Sequence, residues 1–104
     1  VAVDPVGAPA RNIYTIIPAP VLNRIGIRPY IEDKFLMPDG SRVKRRKGVA
    51  KFRYMKKIGG SDVIFGRPGD PTLIGELTLG SLGLELDRNT GGLKPLRMIL
   101  APVS

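Results

Sequence analysis

Chemistry in this chain rests on few residue types. Its 104 residues include no histidine and no cysteine. That removes Ser-His and Cys-His nucleophiles, thiolate zinc sites and the usual neutral-pH base, and it leaves carboxylates, lysine, tyrosine and hydroxyls. Among the carboxylates Asp4 stands apart. It follows the apolar run Val1-Ala2-Val3 and precedes a loop-like PVGAPARN and a strand-like IYTII. Such a residue is either a reactive carboxylate at the mouth of a site or a plain strand-end acid. Asp33, Asp39, Asp62, Asp70 and Asp87 all adjoin turn residues and are expected to be turn formers. Glu32 and Asp33 are neighbours, but successive strand residues face opposite ways, so they make a poor acid/base couple. No phosphate loop or metal-ligand spacing is present, and no metal or cofactor is expected.

A second candidate is basic. Arg42, Lys44, Arg45, Arg46, Lys47, Lys51, Arg53, Lys56 and Lys57 fall in one stretch with no acid between them, in a chain of net charge +8. The cluster can steer an anionic partner such as nucleic acid. It can equally be a solvated hairpin face that keeps a small protein soluble or blunts a sheet edge. Three Phe, three Tyr and no Trp are few for a base-stacking platform.

These residues need elements to position them. The length suits one domain with a modest core. Thirteen glycines and ten prolines cut the chain into short segments, which predicts many short strands and tight turns. NIYTII reads as a strand. PAPVLNRIG reads as a short helix over residues 19–25, with Val21, Leu22 and Ile25 on one face and Gly26 as its stop. KFLMPDGSRVKRR reads as a hairpin tipped by Pro38-Asp39-Gly40. GVAKFRYMKKIGGSDVIFG reads as a second hairpin turning at Gly59-Gly60, with Ala50, Phe52 and Tyr54 inward and Lys51 and Arg53 outward. DPTLIGELTLGSLG reads as a buried strand at Leu73 and Ile74, then a helix over residues 76–82 carrying Leu79 and Leu82. LELDRNTGGLKPLRMIL is a last hairpin turning between Asn89 and Gly92. The expected fold is mainly β, a small closed barrel or sandwich with two short helices. No apolar run approaches a membrane span, no signal-peptide layout opens the chain, and a soluble cytoplasmic protein is expected.

Taken in order, YTIIPAPVLNRIGI, FLMPDGSRV, VIFG and PTLIGELTLGSLGLELDRNTGGLKPL resemble the retropepsin-like aspartic proteases, in particular their short prokaryotic members. The resemblance runs from Tyr14 to Leu96. It implies an acid-protease-like barrel that is half of a homodimeric site, with each copy giving one aspartate to a shared dyad. Two carboxylates within hydrogen-bond reach share one proton, so one activates water while the other donates to the scissile carbonyl. It also implies a flap over residues 35–46, with Met37, Pro38, Asp39 and Gly40 at its tip, closing over an extended peptide. Leu73, Ile74 and Gly75 would pack beside the catalytic loop, where Gly75 permits close backbone approach. Gly7 would be the glycine of that loop.

The catalytic loop departs from the family pattern. Asp4 follows an apolar run, as the family's aspartate does, but Pro5 stands where the family has Thr or Ser, and Val6 precedes Gly7. Proline supplies neither the hydroxyl nor a backbone N–H. Asp4 also lies about five residues further from Pro18 than a tight loop would place it. The family has a hairpin ahead of its catalytic strand and only three residues precede Asp4, so the N-terminal strand is expected to be either incomplete in this stretch or remodelled. Three functions follow: an aspartic endopeptidase or its catalytically impaired relative, a non-catalytic module for extended peptides and dimerisation, and a basic β-barrel binding nucleic acid through residues 42–57.

Overall fold

The computed structural model describes residues 12–37 and 39–96. Eight short elements follow one another: β1 (Thr15–Pro18), α1 (Ala19–Arg24), β2 (Ile31–Leu36), β3 (Arg42–Tyr54), β4 (Lys57–Gly66), α2 (Glu76–Ser81), β5 (Leu84–Leu86) and β6 (Leu93–Pro95). The first four strands form a mixed sheet in the order β1-β4-β3-β2, and β5 and β6 form a separate two-stranded sheet. β1 runs parallel to β4, and the remaining pairs are antiparallel. The protein is thus a mainly β small domain with two short helices, and among the described residues the sheets do not close into a barrel.

Local chemistry explains both helices. Pro20 sits in the first turn of α1, where its missing N–H costs nothing. At the other end Gly26 N–H donates to the Asn23 carbonyl and Ile27 N–H to that of Leu22, the paired bonds of a Schellman stop. Six residues are too few to be stable alone, so α1 depends on what it buries. That is Leu22, wholly enclosed by Ala50, Val63 and Phe65, with Ile17, Ala19, Ile27 and Phe52 around them. Enclosing one leucine contributes about 2 kcal/mol. Val21 and Ile25, expected on the same buried face, are 43% and 64% exposed. A helix this short reaches the sheet with one side chain.

The sheet has two different faces. Gly48, Ala50 and Phe52 of β3 share one face with Ser61, Val63 and Phe65 of β4, and both helices pack there. Arg45 and Lys47 point to the opposite face, as do Asp33 and Phe35 of β2. The β3–β4 turn corrects the sequence reading. It falls at Met55-Lys56, while Gly59 and Gly60 lie inside β4 opposite Phe52 and Lys51. Gly59 is there because α2 is close: a Cβ at Gly59 would overlap Ser81. Tyr54, expected inward, is 44% exposed at the end of β3, next to the Met55-Lys56 turn. Leu73 makes a single antiparallel bridge to Ile16 rather than a strand, and Ile74 is 51% exposed.

Candidate functional site

The segment expected as a flap forms the β2–β3 turn. Met37 N–H donates to Ser41 O (2.8 Å) and Gly40 N–H to Met37 O (2.9 Å). Asp39 accepts from both the Ser41 hydroxyl (2.6 Å) and the Ser41 N–H (2.8 Å). These bonds hold the Asp39 carboxyl below its ordinary pKa, the hydroxyl contributing most. Asp39 is therefore the turn former expected of it, and so is Asp87, lowered chiefly by the Asn89 N–H. Pro38 lies outside the described residues, as do Asp4 and Gly7.

The second predicted group, Leu73 to Gly75, lies against the chain entering β1. Leu73 and Ile16 exchange backbone hydrogen bonds of 3.1 and 2.9 Å. Gly75 is buried, and a Cβ on it would overlap the backbone of Ile13 and Tyr14, so no other residue fits without moving the crossing. Its N–H donates to Thr15 Oγ1 (2.8 Å). The Thr15 hydroxyl meets that of Thr78, which meets that of Ser61 at 2.8 Å. This buried hydroxyl chain joins β1, α2 and β4, and it satisfies polar groups that would otherwise be costly to enclose.

The basic stretch does not act as one surface. Arg45 reaches Asp70 with two hydrogen bonds, Nε to Oδ2 at 2.7 Å and Nη2 to Oδ1 at 2.8 Å, both side chains nearly buried. Asp70 also accepts the Arg67 N–H at 2.8 Å and closes the Arg67–Asp70 turn. The Arg45 guanidinium, ahead of the turn N–H, holds the Asp70 carboxyl below its usual range.

Lys47 is buried with its ammonium 3.6 Å from Asp33, 4.0 Å from Asp62, and over the rings of Tyr14 and Tyr30. Burial pulls the Lys47 pKa down, yet Tyr14, Tyr30, Asp62 and Asp33 together carry it above the ordinary value. Tyr30 donates its hydroxyl to Asp62 (3.0 Å), which raises the tyrosine's pKa. Asp33 and Asp62, expected as turn formers, are strand residues holding this cation. Arg42, Lys44 and Arg46 face the helix side, whereas Lys51 and Arg53 face the other.

On the helix side a cavity of about 280 Å³ opens between α1 and the sheet. Lys44, Arg45, Arg46 and Arg67 line it with Glu32 and Phe65, and Asn23 reaches it from α1. Glu32 is thus turned away from Asp33, which faces Lys47. Asn23 and Arg67 carried no sequence signal as site residues. They reach the cavity from a helix and a turn that only folding brings together. Among the described residues no cluster of acids could hold a metal, and no helix is long and apolar enough to cross a membrane.

Comparison of the chain with protein-family models, with curated proteins and with solved structures finds no match.

Proposed function

We propose that this chain is a retropepsin-like domain that binds extended peptides as half of a homodimer, with peptide-bond hydrolysis weak or absent. In this reading its sheets belong to a small closed acid-protease-like barrel. The observation that carries it is the crossing of Leu73–Gly75 against Ile13–Ile16, where Gly75 meets the backbone with no room for a side chain. The resemblance calls for an apolar-apolar-Gly segment packed beside the catalytic loop, and here the segment meets the residues that follow that loop in sequence. Supporting it are the α1 and α2 positions and the β2–β3 hairpin whose tip would be the flap.

A working dyad needs two carboxylates sharing a proton, a donor to each outer oxygen and a water between them. Asp4 and its symmetry mate would supply the carboxylates. Pro5 removes the hydroxyl that the family uses to support them. The test is digestion of an unfolded protein at acid pH, with Asp4→Asn and an active-site aspartyl inhibitor alongside. The expected result is little cleavage and no loss on Asp4→Asn. Robust cleavage abolished by both would make the chain an active peptidase. Sedimentation showing only monomer at high concentration would remove the dimer on which the peptide cleft depends.

The nucleic-acid reading draws on the exposed cations of residues 42–57, and its mark would be binding to single-stranded oligonucleotide that falls steeply with salt.

A further inference from the structure

The cations of β3 fall into two classes. Arg45 and Lys47 have acids built around them: Asp70 for one, Asp33 and Asp62 for the other. Lys44 and Arg46, two positions apart on the helix-bearing face, have no ion pair among the described residues, and neither has Arg67. All three line the same cavity, as does Arg45, already paired with Asp70, and Glu32 is the single carboxylate of the lining. The fold does not leave Arg67 there by chance of a loose loop. The Arg45–Asp70 pair fixes the turn that begins at Arg67, with the Arg67 N–H and carbonyl both bonded to Asp70.

We propose that this cavity binds a small phosphate monoester through Lys44, Arg46 and Arg67. Three cations around one cavity suit a dianion better than a single carboxylate, and the guanidinium fork matches phosphate oxygens two at a time. The volume, about 280 Å³, sits at the low end for small-molecule sites, near roughly 300 Å³. It takes a phosphate with a few carbons, whose organic part rests on Phe65 and Pro29. Glu32 and Asn23 offer partners for a hydroxyl or an ammonium on that part. A polynucleotide is a poorer match, because neutralising many phosphates needs a continuous cationic track. Here Lys51 and Arg53 lie on the opposite face from Lys44 and Arg46. The site is independent of the peptide-cleft reading and stands or falls without it.

The experiment is amide NMR of the whole chain, titrated with inorganic phosphate and with O-phosphoserine at constant ionic strength. Chloride and a 5′-phosphorylated single-stranded oligonucleotide serve as comparison arms. Saturable shifts at Asn23, Glu32, Lys44–Arg46 and Arg67 are expected, with at least tenfold weaker binding in the folded Arg46→Ala/Arg67→Ala double variant. Lys51→Ala/Arg53→Ala should bind like the parent, and Glu32→Gln should bind phosphate severalfold more tightly. Equal affinity in the double variant overturns the proposal. So does a shift map centred on residues 51–57, equal response to chloride, or tighter binding of the oligonucleotide through that hairpin tip. Should the double variant unfold, the single variants Lys44→Gln and Arg67→Gln carry the same expectation, each with a severalfold loss.

Discussion

The two faces of β3 carry the same residue types in alternate positions and treat them in opposite ways. On one face Lys47 is buried and Arg45 nearly so, and both are held by acids from three other places in the chain. On the other, Lys44 and Arg46 are exposed at the rim of a cavity with one carboxylate among them. The difference teaches that a run of basic residues is not a unit of function. A charge taken from water needs a partner, because an unpaired buried ion costs several kcal/mol, while a charge left in water needs none. Burial therefore decides which cations become part of the framework and which stay available.

The comparison breaks most visibly at Asp70. Asp70→Ala leaves the Arg45 guanidinium enclosed without its carboxylate and opens the Arg67–Asp70 turn, and it should cost about 3 kcal/mol in urea unfolding. A loss under 1 kcal/mol would mean that Arg45 swings out to water and that the two faces differ less than the hydrogen bonds imply. Lys47→Met keeps the stem against Tyr14 and Tyr30 and removes only the ammonium. Since Asp33 is 55% exposed, water screens much of its pair, and about 1–2 kcal/mol should be lost.

Acid titration sharpens the contrast. Asp70 has a lowered pKa in the folded protein, so its contribution is present above the unfolded carboxylate value of about 3.9 and disappears as pH falls toward the folded value. The parent should lose stability more steeply than Asp70→Asn across that window, followed by circular dichroism from pH 5 downward. Asp39 and Asp87 titrate alike in both proteins and drop out of the difference. Parallel curves would show that the Arg45 pair gains nothing over water. The smallest effect belongs to the open face: Lys44→Ala and Arg46→Ala should each change stability by no more than about 0.5 kcal/mol. A larger loss would show that they too are framework residues.

Much of the fold was legible because local chemistry fixed it. Pro20 and Gly26 bound α1, Asp39-Gly40 tips the β2–β3 hairpin, and alternation along Ala50, Lys51 and Phe52 told strand from helix. The misreadings share one cause. Gly59-Gly60 has turn composition, yet Gly59 is a strand residue because Ser81 occupies the space of its side chain. Asp33 and Asp62 adjoin turn formers, yet they sit on either side of β3 with Lys47 between them. Ile74 is as apolar as a core residue and stands half in water, since a single bridge holds its neighbour Leu73.

The sequence by itself determined the chemistry in reach: no imidazole, no thiol, an excess of cations, and Pro5 beside the one acid that follows an apolar run. It also determined the punctuation, because turns and helix ends are settled by residues a few positions apart. The tertiary structure alone decided which cations face each other and which face water. Strand parity puts Arg46 and Lys47 on opposite sides, but parity does not say which side the helices cover. Leu22 answers that by burying itself against Val63 and Phe65. Once the helix-bearing face is chosen, Lys44 and Arg46 meet Arg67 across a cavity, and Lys47 is left with Tyr14, Asp33 and Asp62.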